Sequence, residues 1–145
     1  MAVLMGALLA CSAKSPDANQ SVSTNSVSAV GATAASAGGS TSDLGARLFG
    51  GNCVPCHQQN GAGIPGVYPS LAGSPVVLGD PAELARWVIK GQRPISMPAG
   101  RYSTQMLQFG WMKPADAAAL FSYLRSNFGN SATPVDVATV TKALE

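Results

Sequence analysis

The sequence predicts an all-α domain, and three observations carry that expectation. No stretch alternates apolar and polar residues with the period of two that a half-buried strand shows. Asp80-Pro81-Ala82-Glu83 has the form of a helix start: a capping side chain, a proline suited to the first helical position, and an acid completing a capping-box pattern. Ala117, Leu120, Phe121, Leu124 and Phe128 follow the spacing of one buried helical face.

The chain begins with an apolar run, Met1 to Ala10, too short to cross a bilayer and fitting the apolar part of an export signal. It ends Leu8-Leu9-Ala10-Cys11, which resembles the lipobox of bacterial lipoproteins. In that family the signal is cut before the cysteine, which becomes the lipidated first residue. Here the segment before the apolar run lacks Lys and Arg, and Leu9 is larger than usual. The alternative is an ordinary signal peptide with an incidental Cys11. The expectation is a signal peptide over 1–10, and then a lipid-anchored Ser/Ala/Thr/Gly linker over 11–42. That linker has too few large apolar groups to offset its ordering entropy, so it reads as a flexible, disordered tether.

Bulk properties exclude several classes. A net charge of +2 with no Lys/Arg-rich run argues against a nucleic-acid partner. No segment has the ~18 or more apolar residues that a membrane helix needs.

The domain proper is expected over 43–130. Thr41 or Ser42 can cap a first helix running through Leu44, Leu48 and Phe49, with Gly50-Gly51 letting it end or bend just before Cys53. Residues 61–79 repeat Gly and Pro and read as loop. The helix opened by Asp80 places Leu84, Val88 and Gly91 on one face with Trp87 beside them, and Gly91 ends it. Residues 92–111 are loop again. The last strong helix opens at Pro114, carries Asp116 near its positive end, and is expected to stop at Gly129. A tail over 131–145 has a turn or two of helical pattern around Val137, Val140 and Leu144.

Roughly 90 residues of short helices and loops make a thin core, and scaffolds of that size usually need a staple. The chain's only histidine and two of its three cysteines stand together as Cys53-Val54-Pro55-Cys56-His57. A zinc site would need a second ligand pair, which is missing. A thioredoxin-like redox pair would need strands around it. Cys-x-x-Cys-His is the signature of covalent c-type haem attachment. Two thiols one helical turn apart can each form a thioether to a haem vinyl group, and the adjacent imidazole then reaches the iron. The macrocycle would also supply the missing core.

With "GARLF" before the motif, "YPSLAGS" after it and "ALFSYLRSNFGN" near the end, residues 42–130 resemble a class I bacterial cytochrome c. The resemblance implies a small fold of short helices around one covalently bound haem. It implies that Gly45 and Phe49 of the first helix pack on Leu120 and Tyr123 of the last. It also implies that the backbone carbonyl of Pro69 bonds the second ring nitrogen of His57, as ligating histidines commonly require.

The other axial position is open to three methionines beyond the leader. Met97 stands in a Met-Pro pair typical of the family's axial ligand. Gly100, Tyr102, Met106 and Phe109 instead match the order seen in many relatives, with Leu107 in place of the usual proline. Met112 lies almost inside the last helix. Met106 is the expected ligand, and Met97 and Met112 are the alternatives. Arg93, Arg101, Tyr102 and Trp111 are either haem-propionate donors or parts of a solvated basic loop.

The function implied is one-electron transfer by a monohaem carrier that catalyses no bond-making of its own. The expected location is the bacterial periplasm, attached to the membrane as a lipoprotein. Expected partners are redox proteins: a periplasmic dehydrogenase, an oxidase or another cytochrome. The alternatives are a haem subunit of a multi-component dehydrogenase or oxidase, and an open-site haem sensor or peroxidase.

Overall fold

The computed structural model describes residues 40–145; the expected signal peptide, Cys11 and nearly all of the linker lie outside the described residues. Six helices follow in order: α1 Thr41–Asn52, α2 Val54–His57, α3 Pro75–Leu78, α4 Pro81–Lys90, α5 Pro114–Ser126 and α6 Val137–Leu144. Among the described residues there is no strand, only an isolated antiparallel bridge between Ile64 and Tyr68. The all-α expectation therefore holds.

Ser40 caps α1, just before the expected Thr41 or Ser42. Its hydroxyl accepts from the Asp43 N–H at 3.3 Å, and the Asp43 carboxylate accepts from the Ser40 N–H at 3.1 Å. Only a cap at 40 puts Asp43 where it can return the bond, so the reciprocal pair selects this hydroxyl from three in a row. The helix continues through Gly50-Gly51 and ends at Asn52, with the Cys53 N–H still bonded to the Phe49 carbonyl.

α1 lies against α5 through Gly45. A Cβ there would run into the Ala119 carbonyl and would sit 2.6 Å from the Tyr123 Cβ, so only glycine permits this approach. Phe49, Tyr123 and Phe128 form an aromatic cluster beside it, with Phe49 centred 5.7 Å from Tyr123 and 4.9 Å from Phe128. Leu120 and Phe121 are fully buried. The packing implied for Gly45 and Phe49 on Tyr123 is observed, whereas Gly45 meets Ala119, and Leu120 lines the inner cavity.

α4 is capped by Asp80, whose carboxylate accepts from the Ala82 N–H at 2.8 Å. It ends at Gly91, whose φ of 70° is the left-handed conformation that closes a helix. α5 stops at Ser126, short of the expected Gly129. Asn127 goes extended while its amide donates to the Tyr123 carbonyl at 2.9 Å, which takes over one of the last helical acceptors. Phe128 then adopts φ 60° and turns its ring back onto Phe49. That ring contact ends the helix early.

The 131–145 segment is packed rather than trailing. Asp136 caps α6, and Val140 and Ala143 bury themselves against the domain where α6 meets α4 and α5. Two buried polar side chains tie this end down. Asn130 accepts from the Gly73 N–H at 2.8 Å and donates to the Leu71 and Leu124 carbonyls. Arg125 bonds carbonyls of α3, of the residue after it, and of Thr133.

Candidate functional site

The Cys-x-x-Cys-His motif follows α1 directly. Cys53 closes α1, and its carbonyl accepts from the N–H groups of Cys56 at 3.2 Å and His57 at 2.8 Å, so one short turn presents all three side chains. Pro55 suits the start of that turn because no N–H is needed there. Cys53 and His57 are buried and Cys56 is half-buried.

All three face a cavity of about 290 Å³, which extends inward to a smaller one sharing Cys53, His57, Pro69, Trp87, Met97 and Met106. The inner wall is aliphatic and aromatic, with Val77, Leu120 and Leu124 among its residues. Burial, and then the neighbouring Cys56, pushes the free Cys53 thiol up to about 11. Burial likewise pulls His57 below the ordinary imidazole range, opposed by its bond to Pro69. The neutral ring is the form that can act as a ligand.

The His57 ring is fixed in one sense. Nδ1 lies 2.9 Å from the Pro69 carbonyl, and a carbonyl only accepts, so Nδ1 carries the proton and Nε2 is left with its lone pair. The loop that brings Pro69 there depends on Gly63, whose φ of 66° and close approach to the Tyr68 and Pro69 backbone exclude any side chain. Its N–H bonds the His57 carbonyl at 2.9 Å, which locks loop to motif.

Met97 and Met106 both line the cavity, and both are half-buried. Met112 does not line it; it is 3% exposed within the core and drops out as a ligand. Of the four loop residues considered as propionate donors, Arg93 and Tyr102 reach the cavity wall, whereas Arg101 and Trp111 do not. Arg101 lies over the Tyr102 ring, and Trp111 is exposed with its edge toward Phe109. The wall also includes Asn52 and Trp87, which the sequence did not single out as site residues. The signal for Trp87 was a bulky aromatic next to the apolar face of α4; Arg93 now stacks over it at 5.1 Å.

The donor set fits a haem. An apolar cavity carries two thiols a helical turn apart, one imidazole with its lone pair directed by a backbone acceptor, and thioethers on the loop that lines it. Among the described residues no cluster of His, Cys, Asp or Glu is suited to hold a bare metal ion.

Fold and site together define a small c-type haem protein with a single attachment motif. The chain belongs to the cytochrome c family, whose family model matches residues 42–128. It is 32% identical over 92 residues to cytochrome c-552 of Thermus thermophilus, covering 60% of this chain and 70% of that protein. It is 31% identical over 98 residues to the cytochrome c subunit of the quinone alcohol dehydrogenase of Gluconobacter oxydans, covering 65% of this chain and 20% of that subunit. Over 111 residues it is 28% identical to the cytochrome c subunit of gluconate 2-dehydrogenase of Pantoea cypripedii, covering 72% of this chain and 25% of that subunit. The chain thus spans a fifth to a quarter of these dehydrogenase subunits. Its cofactor is haem c, attached covalently through Cys53 and Cys56, and its function is electron transfer. No helix among the described residues is long and apolar enough to cross a membrane.

Proposed function

We propose that the protein is a one-electron carrier whose iron is held between His57 Nε2 and Met106 Sδ. In this reading it is tethered on the periplasmic side of a bacterial membrane by lipid on Cys11. The observation that carries the site assignment is the 2.9 Å bond from His57 Nδ1 to the Pro69 carbonyl, made at a cavity that Met106 also lines. When bound, haem supplies a one-electron couple between iron(III) and iron(II). The chain's part is to keep the site dry and both ligands in place. Side chains that stay put as the charge changes keep the reorganisation small.

Met106 is preferred to Met97 because its segment is anchored. The Phe109 N–H bonds the Val88 carbonyl of α4 at 3.0 Å, and Tyr102, Thr104, Gln105, Leu107 and Phe109 line the cavity with Met106. Met97 is held by a local turn to Pro94, and its neighbour Ile95 is 96% exposed. The test is Met106→Ala against Met97→Ala in the holoprotein. The Met106 change should abolish the weak red charge-transfer band of the oxidised form, lower the potential and let carbon monoxide bind. The Met97 change should leave all three nearly as they were. The reverse pattern would make Met97 the ligand, and carbon monoxide binding by the wild type would favour an open-site sensor or peroxidase.

A second reading is a haem subunit of a multi-component dehydrogenase or oxidase, favoured by the dehydrogenase subunits among the relatives. Co-purification of a catalytic chain from membranes would decide for it. In either reading the redox partner is expected to meet a basic surface. Residues 84–115 carry Arg86, Lys90, Arg93, Arg101 and Lys113 and no acid, and they include the loop that lines the cavity.

A further inference from the structure

Arg125 is 5% exposed, and its hydrogen-bond partners are three backbone carbonyls. Nε donates to Thr133 at 2.7 Å; one terminal nitrogen donates to Val77 at 2.7 Å and to Gly79 at 2.8 Å. Among the described residues no carboxylate pairs with it. The nearest acid in sequence to this cluster, Asp80, is engaged at the N-terminus of α4 with the Ala82 N–H. A guanidinium keeps its proton in proteins, so a full positive charge is held here against peptide carbonyls, with only the second terminal nitrogen free of them.

The charge stands directly behind the wall of the haem cavity. Val77, whose carbonyl it bonds, and Leu124, its neighbour in α5, both line the inner cavity together with Cys53 and His57. Oxidation of the bound haem iron adds one positive charge to that cavity. A buried cation with no carboxylate partner, bonded to the backbone of a residue in that wall, opposes the addition, and its removal from bulk water keeps the opposition from being screened away.

We propose that Arg125 sets the reduction potential of the haem, its buried charge holding the potential up by favouring the iron(II) form. It acts as a positioning residue as well, joining α3, α5 and the 131–136 segment, and the two roles separate experimentally. The inference rests on haem occupying the cavity, which haem staining and the wild-type spectrum check independently.

The experiment is a mediated potentiometric titration of the full-length holoprotein, in which each oxidised haem takes one electron from a reduced mediator dye. Arg125→Gln and Arg125→Met remove the charge, the latter filling the space with an apolar chain if the former does not take up haem. Ser122→Ala is the control. Its hydroxyl donates to the Val135 carbonyl and accepts from the Val135 N–H, so the change loosens the same segment without touching any charge. At the wild-type midpoint, the neutral Arg125 variants should show a reduced-to-oxidised ratio roughly three- to tenfold lower. Added salt should change that shift little, because the charge is buried. Ser122→Ala should lose stability and keep the wild-type potential. The proposal is overturned if both neutral variants titrate with the wild type, or if Ser122→Ala shifts the potential as far as they do.

Discussion

His57 Nδ1 and the Pro69 carbonyl oxygen lie 2.9 Å apart, and this one bond sets both the tautomer and the orientation of the only histidine in the chain. The two partners are twelve positions apart in the chain, and the glycine at 63 makes the turn between them possible. Gly63→Ala places a methyl group against the Tyr68 and Pro69 backbone at a φ of 66°. Strain of this kind costs about 1–3 kcal/mol. The expected result is a lower denaturation midpoint together with a disturbed His57–iron bond, read as a change in the oxidised spectrum. A variant that lost stability but kept the wild-type spectrum would show that the ring is held without this loop.

Covalent attachment predicts that denatured protein keeps its peroxidase-type haem stain on a gel. Cys53→Ala with Cys56→Ala should abolish the stain. Because a bound haem would be held by the residues that line this cavity, the same variant should lose most of its cooperative unfolding transition. Stain surviving the double substitution would rule out the thioether attachment.

Gly45→Val tests the helix contact. The side chain would meet the Ala119 carbonyl, which is backbone and cannot swing aside, and α1 must then move off α5. Overpacking at such a site costs about 1–3 kcal/mol, measurable as a fall in the chemical denaturation midpoint. Gly50 and Gly51 have open space around them, so Gly50→Ala in the same helix should be neutral or stabilising.

Asn130→Leu removes a buried amide that serves Gly73, Leu71 and Leu124 at once. The abandoned backbone groups should cost about 2–3 kcal/mol, with the visible spectrum unchanged. A spectrum that changed with it would mean that the 71–73 loop reports directly to the iron.

The proposed lipid anchor makes a cellular prediction. Cys11→Ser should release haem protein from the membrane fraction or block its processing, and soluble wild-type protein starting at another residue would contradict the lipid anchor.

What the sequence revealed and what it hid follow from how far each signal reaches along the chain. The attachment motif is five consecutive residues, and α4 is bounded by Asp80, Pro81 and Gly91, so both were legible locally. The end of α5 was not, because it is decided by Phe128 meeting Phe49 of α1, a contact far apart in sequence. α3 is four residues within a Gly/Pro-rich stretch and has no periodicity to show. The burial of Arg125 was not legible either, because its partners at Val77, Gly79 and Thr133 come from other segments of the chain. The Met97–Met106 choice stayed open because both sit in one loop, and the bonds from Ser103 to Gly66 and from Phe109 to α4, which flank Met106, are long-range contacts that a local reading of the sequence does not show.

The meeting of α1 and α5 also bears on the order in which the protein is made. Gly45 and Ala119 come from opposite ends of the cytochrome domain, and nearly everything that lines the cavity lies between them. Closing so long a loop costs entropy before the contact returns any energy. The attachment motif needs no such closure, since it starts where α1 stops and is complete within one turn. Thioethers can therefore form while the far end of the chain is still loose. A haem held there would then offer the two ends an apolar surface on which to meet.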